Sequence, residues 1–199
     1  MHLYEIENII SRVNRLVETI SSNEGRGSSW SVKSSDGEIY EFHIDDILCS
    51  NQLIDDIAFL FITLWSIKDY FKKYLISRGV DPKSANSIEN KINESNSMCI
   101  CADIANTIKH QSLTKSRSGF YPQLSCPQYI IDQPVIDTIE FRQGKLNVKP
   151  SNPSKVKILL PILDNNKQPI EDAFVIFDKA INFWEKIFEE YNIDFSEIS

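Results

Sequence analysis

The segment CADIANTIKHQSL, residues 101–113, gathers an acid, an amide, a hydroxyl and one of the chain's three histidines at helical spacing. At about 100° per residue, Asp103, Asn106, Thr107 and His110 fall on one side of a helix, with Cys99 a turn earlier. Ile100, Ile104 and Ile108 share an adjoining side that is expected to face a core. An imidazole can take a proton from a hydroxyl near neutral pH, and Asn106, one turn back, could hold a phosphate oxygen or orient a sugar. Lys109, Lys115 and Arg117 bring positive charge to the helix end and the loop after it, with no acid between residues 109 and 117. Phe120 and Tyr121 follow and could stack on bases. Such a set could cleave RNA without a metal, the ribose 2′-hydroxyl acting as nucleophile, or it could grip a phosphate without reacting. The stripe also has a structural reading: mid-helix Asp and Asn are poor helix formers and often serve as hydrogen-bonded pins between elements. Lys68, Asp69 and Lys72 on a neighbouring helix are the partners expected for the stripe, Lys68 or Lys72 for Asp103 itself, and Asn106 and Thr107 are the neighbours expected for His110.

The elements that must position this stripe follow from periodicity. Residues 3–20 place Leu3, Ile6, Ile9, Ile10, Val13, Leu16, Val17 and Ile20 on one helical stripe. SSNEGRGSS (21–29) breaks it, and Trp30 to Ile44 reads as a hairpin about the Asp36-Gly37 turn, with Asp45 or Ser50 capping the next helix. Residues 51–78 are apolar over more than one stripe, the pattern of a central helix touched on several sides. Gly79 ends it, and Asp81-Pro82 opens a shorter helix at 83–93. NESNS leads into a helix at 97–113 that should pack on 51–78, with Trp65 buried. KSRSGFYPQLSCPQ (115–128) reads as loop. VIDTIEF, the turn RQGK and KLNVK form a second hairpin over 135–149. KVKILLPILD (155–164) reads as one strand, with Pro161 marking an edge or bulge, and residues 171–191 are helical. The fold class is α+β, a mainly helical bundle with a small antiparallel β-sheet. Residues 1–48 form an N-terminal helix and hairpin, residues 49–199 the helical core with the second hairpin and terminal helix, and the two are expected to make one compact domain.

Composition narrows the function classes. The 199 residues are 42% hydrophobic, near the globular norm. A net charge of -7 argues against nucleic-acid binding driven by total charge and leaves room for a local basic patch. The longest apolar run, IAFLFITLW at 57–65, is bracketed by Asp55, Asp56, Lys68 and Asp69. It is far short of the ~20 residues of a membrane span, and no membrane association is expected. MHLYEIENII lacks the features of a signal peptide, and four cysteines without a C-x-x-C pair suit small buried hydrophobes in a reducing cytoplasm. Phosphate-cradling glycine loops, G-x-S-x-G and H-E-x-x-H are absent. His2, His43 and His110 lie far apart in sequence, so neither a metal site nor a cofactor is expected. The acid pairs Asp55-Asp56 and Glu189-Glu190 diverge around their helices and read as solvated face.

The order of these segments carries a resemblance. LWSIKDYFKK (64–73), then CADIANTIKHQSL, a β-rich stretch and AINFWEKIF (180–188) resemble a group of uncharacterised bacterial proteins. In that group a W-x-x-x-D helix precedes a D-[IL]-A-N-x-x-K-H helix. The likeness covers roughly residues 50–190. More distantly, the arrangement resembles the HEPN superfamily of helical domains, many of which are metal-independent RNases in toxin–antitoxin, CRISPR and phage-defence systems. Their signature is an arginine, commonly followed by a polar residue, and a histidine a few residues later. The resemblance assigns His110 to the histidine and Asn106 to the polar position as catalytic residues. Lys109, Lys115 and Arg117 become phosphate or RNA contacts, with Asp103, Thr107, Trp65 and Asp69 in support. Ala105 stands where the signature has arginine, so the guanidinium that would hold the scissile phosphate is missing. Arg117 is the residue placed to restore it. The resemblance therefore implies a non-catalytic HEPN-like protein acting by partner or RNA binding, as an accessory or immunity component of such a system. The alternative is a divergent metal-independent endoribonuclease using His110. It also implies a homodimer, because HEPN motif helices often face each other.

Overall fold

Where apolar residues recur at helical spacing, the chain is helical. The computed structural model describes residues 2–193, with side chains from residue 4. The side chains of His2 and Leu3, and residues 194–199 at the end of the expected core, lie outside the described residues. Helix α1 spans His2–Ser22 and buries Ile6, Ile9, Ile10, Val13 and Ile20. Helix α2 spans Ser50–Ser77, α5 spans Asn96–His110 and α6 spans Ala173–Glu190. α5 stops at His110 rather than 113 because Gln111 turns left-handed (φ 60°) and cannot continue the helix. The expected helix at 83–93 is two: α3 (Pro82–Asn86) and α4 (Ile88–Glu94). Asp81 caps α3 by accepting from the Lys83 and Ser84 amides at 2.9 and 3.1 Å. At the break, the Ser87 hydroxyl donates to the Ser84 carbonyl at 2.6 Å, a local bond that competes with helix continuation.

Both hairpins form. β1 (Ser28–Lys33) pairs antiparallel with β2 (Ile39–Ile44), and β5 (Ile136–Arg142) with β6 (Lys145–Pro150). They merge into a four-stranded sheet of order β1-β2-β6-β5, because β2 pairs parallel with β6. The small sheet is thus antiparallel-rich, with one parallel pairing at its centre. The expected strand at 155–164 is two short strands in different sheets. β7 (Lys157–Leu159) pairs with β4 (Gln128–Ile130), while β8 (Pro161–Leu163) lies between β3 (Gln123–Leu124) and β9 (Pro169–Asp172). Pro161 has no amide to give a ladder, and the Leu160 amide donates to Asp172 Oδ2 at 2.7 Å rather than to a strand. The same carboxylate caps α6, Oδ1 accepting from the Phe174 amide at 2.9 Å. The expected loop at 115–128 therefore contains β3 and the start of β4.

The chain folds into two compact units, and the division interleaves the sequence instead of falling at 48/49. One unit comprises Met1–Val17, Ile57–Ser125 and Leu160–Ser199; the other comprises Glu18–Asp56 and Cys126–Leu159. In the first, α2 is the central helix. The Cys101 thiol of α5 donates to the Phe61 carbonyl at 3.6 Å, and Trp184 Nε1 of α6 donates to the Leu64 carbonyl at 3.0 Å. Phe71 meets Phe188 edge-on at 5.3 Å between ring centroids. So α2 and α5 do touch, and Trp65 is only 6% exposed. In the second unit, Ile44, Ile47 and Val156 form a small core against which Tyr129 and Ile131 pack. Cys99 and Cys101 are buried as expected, but Cys49 is half-buried and Cys126 is exposed on an irregular segment. Burial pushes the Cys101 thiol up, so it stays protonated and inert. Among the described residues no helix is long and apolar enough to cross a membrane.

Trp184 joins α6 to α2 through both its ring and its indole N–H. Trp184→Ala should cost about 3–5 kcal/mol, measured as a lower urea midpoint at unchanged m-value.

Candidate functional site

The stripe on α5 divides along its length. Its first member, Asp103, has no solvent exposure. A buried carboxylate is costly unless fully paired, and Asp103 is paired by the loop that follows its own helix. Oδ1 accepts from the Arg117 amide at 2.8 Å. Oδ2 accepts from the Ser118 amide at 2.9 Å, the Ser118 hydroxyl at 2.7 Å and the Ser116 hydroxyl at 2.6 Å. The expected partners Lys68 and Lys72 do not reach it; Ser-Arg-Ser takes their place.

Because Asp103 holds the Arg117 amide, the Arg117 side chain starts from a fixed point. It extends over Trp65, with the guanidinium carbon 4.9 Å from the ring centroid. Nη1 donates to Glu89 at 3.2 Å and to Asn93 at 2.8 Å. Glu89 is shared: Lys72 donates to it at 2.7 Å and Lys68 lies 3.9 Å away. Lys68 also sits 4.7 Å from the Trp65 centroid and pairs with Asp69 at 2.6 Å. Burial pushes the Glu89 carboxyl up, but the Lys72 hydrogen bond and the charges of Lys72, Lys68 and Arg117 outweigh it and hold the group below its ordinary range. Burial pushes the Cys99 thiol up, the Asp103 charge adds to that, and Arg117 opposes it.

The second half of the stripe stays outside this network. Asn106 and Thr107 are half-buried, and His110 is exposed as the last residue of α5. Lys109 is exposed and reaches the Ser66 hydroxyl at 3.5 Å; Lys115 is exposed. A cavity of about 410 Å³ opens beside Thr107, Gln111, Leu113, Tyr121, Gln123 and Asn165. Thr107 is the stripe residue that lines it. The structure thus links Asp103 to the Arg117 backbone, the Arg117 side chain to Trp65 and Glu89, and Asp69 to Lys68 beside them, and leaves His110, Lys109 and Lys115 on the outer end. Glu89 and Asn93 escape a motif-based reading, although their spacing of four on α4 puts them on one helix face. Ser116 and Ser118 have the look of ordinary loop. Among the described residues no group of three or more His, Cys, Asp or Glu side chains could hold a metal ion. No family model, curated protein or solved structure matches the chain.

Two outcomes test this geometry. Asp103→Asn puts an amide N–H where a donor already points, and should cost about 2–3 kcal/mol. It should also strip hydrogen-exchange protection from the Arg117 and Ser118 amides. Glu89 has a lowered folded-state pKa, so its contribution to stability is present above the usual glutamate value of about 4.3 and is lost as pH falls through the lower folded value. Glu89→Gln should therefore be less stable than the parent at pH 7. The two denaturation midpoints should converge as the pH is taken down through that acid window.

Proposed function

We propose that this chain is a HEPN-like protein without nuclease activity, acting by binding RNA or a protein partner through the outer end of α5. The observation that carries this reading is the engagement of Arg117. Metal-free RNA cleavage needs a cation held ready for the phosphate and its developing charge. The chain lacks the signature arginine at Ala105. Arg117, its nearest substitute in sequence, is committed to Glu89, Asn93 and the Trp65 ring. Withdrawing it would break its bonds to Glu89 and Asn93 and lift it from the Trp65 ring. Lys109, His110 and Lys115 are exposed, and so are the rings of Phe120 and Tyr121 a few residues further along the chain. Cations with neighbouring aromatic faces suit single-stranded RNA without base-specific readout. By the same resemblance, an accessory or immunity role in a bacterial defence or toxin–antitoxin system, and pairing of two copies, belong to this reading.

The exposure of His110 keeps a divergent endoribonuclease as the second reading. Incubating the full chain with end-labelled single-stranded RNA in EDTA separates the two. The binding reading expects retention without cleavage. It also expects Lys109→Ala with Lys115→Ala to weaken binding and to flatten the log-affinity against log-salt slope by about 1.4, from two lost phosphate contacts. Cleavage that disappears in His110→Ala would replace it with the nuclease reading. Neither binding nor cleavage would remove RNA and leave a protein partner, sought as a second copy by sedimentation.

A further inference from the structure

The sheet β1-β2-β6-β5 has two unlike faces. Strand register puts Trp30, Phe42, Leu146 and Phe141 in one row across it, and Ser29, His43, Asn147 and Glu140 in the neighbouring row on the opposite face. On that polar face Ser29 Oγ lies 2.6 Å from His43 Nδ1. His43 Nε2 lies 3.0 Å from Asp45 Oδ1. Asp45 follows His43 by two residues, so it shares the face, and its amide donates to the Val148 carbonyl at 2.9 Å, continuing the pairing of β2 with β6. The ring is also held from beneath. Gly27 (φ +91°) packs so close that a Cβ there would lie 2.8 Å from His43 Cε1 and Nε2 and 2.7 Å from the Ile44 carbonyl oxygen. Only glycine admits the imidazole in this position. Ser29 and His43 line a cavity of about 460 Å³ with Ser31, Glu41, Lys145 and Asn147.

This is a hydroxyl, an imidazole and a carboxylate in line, each within hydrogen-bond reach of the next. With Asp45 accepting from Nε2–H, Nδ1 presents its lone pair to the serine O–H, the tautomer a general base needs. The roles match those of a Ser-His-Asp triad with the two ring nitrogens exchanged. We propose that Ser29, His43 and Asp45 form a nucleophilic site for small carboxylic esters. Ser29 Oγ attacks the ester carbonyl as its proton passes to His43 Nδ1. The C–O bond to the leaving alcohol then breaks, and His43 returns that proton to the departing oxygen, leaving an acyl-Ser29. A water, deprotonated by the same nitrogen, adds to the acyl carbon, and release of the carboxylic acid restores the serine. Asp45 is a positioning residue: it fixes the tautomer and balances the imidazolium. Aryl esters are the favoured class, because a leaving group that departs easily asks least of oxyanion stabilisation. The cavity is open enough to take an acetyl or similarly short acyl group.

The test uses the full chain with p-nitrophenyl acetate and, separately, with a fluorophosphonate probe followed by peptide mass mapping. A burst of one equivalent of p-nitrophenol and a single phosphonyl adduct on Ser29 are expected. Both should vanish in Ser29→Ala, and the labelling rate should fall at least about 100-fold in His43→Phe, which removes the base. Asp45→Asn should slow the rate of the burst with its amplitude kept, whereas loss of folded protein would lower the amplitude. Far-ultraviolet circular dichroism of each variant separates inactivation from unfolding. Absence of an adduct on Ser29 in the folded parent overturns the proposal, as does labelling of Ser29 that proceeds unchanged without His43.

Discussion

A carboxylate shut off from water has to be answered by donors, and Asp103 is answered by four. Hydrogen bonds to an ionised acceptor are roughly twice as strong as neutral ones, so the segment Ser116–Ser118 is held to α5 although it belongs to no regular element. The direction of cause matters. Asp103 fixes the Arg117 backbone, the backbone sets where the guanidinium can reach, and the guanidinium settles on Trp65 within reach of Glu89 and Asn93. The α5 stripe, read alone, presents Asp103 as a member of a reactive set. Its burial makes it the anchor of a loop instead.

The charges around Trp65 decide how that loop behaves. Exposed ion pairs contribute little, but Glu89 is shared by Lys72, Lys68 and Arg117, and the Lys72 hydrogen bond and the three charges hold its carboxyl below the ordinary range against the opposing pull of burial. Removing one cation from such a group leaves the others, so no single pair is decisive, and the arrangement resists local loss. The same redundancy ties up the cations. For any of the three to serve a phosphate, it must first give up Glu89, and Arg117 must also leave Asn93 and the indole face. The positive charge free to meet a ligand here is therefore that of Lys109 and Lys115, on the outer end of α5 and in the loop after it.

Helix positions were legible because apolar spacing of 3.6 is a property of the sequence itself; α1, α2, α5 and α6 lie within a few residues of where the pattern puts them. Both hairpins were legible from alternation and their turn residues. The divided strand at Leu160 was not, because KVKILLPILD carries one continuous apolar signal and only the destination of the Leu160 amide shows the break. The two-residue β3 and the three-residue β4 are too short to carry a period. The parallel pairing of β2 with β6 joins segments about a hundred residues apart, which no local pattern encodes. At the site, Asp103, Arg117 and Trp65 stand out in the sequence as residue types. Their partners do not, since Ser116 and Ser118 look like any polar loop until a carboxylate is placed under them.

The histidines at 43 and 110 mark the difference between a residue that is available and one that is prepared. His110 ends a helix and is exposed, and the bonds that hold α5 in place run through Asp103 rather than through its imidazole. His43 has a serine on one nitrogen, a carboxylate near the other and a glycine beneath the ring. Catalysis depends on groups held near their productive geometry by elements that do not themselves move, and a paired strand meets that demand better than a helix terminus does. Ser29 lies 14 residues before His43 in the chain. The hairpin register makes them neighbours, and a slip of one residue would send the serine to the opposite face. Sequence spacing ranks the stripe on α5 first because helical periodicity can be counted along the chain. The better-ordered chemistry lies across a strand pair, where the register, fixed by the β1–β2 hairpin and by β6 alongside it, brings a distant hydroxyl and imidazole within bonding distance.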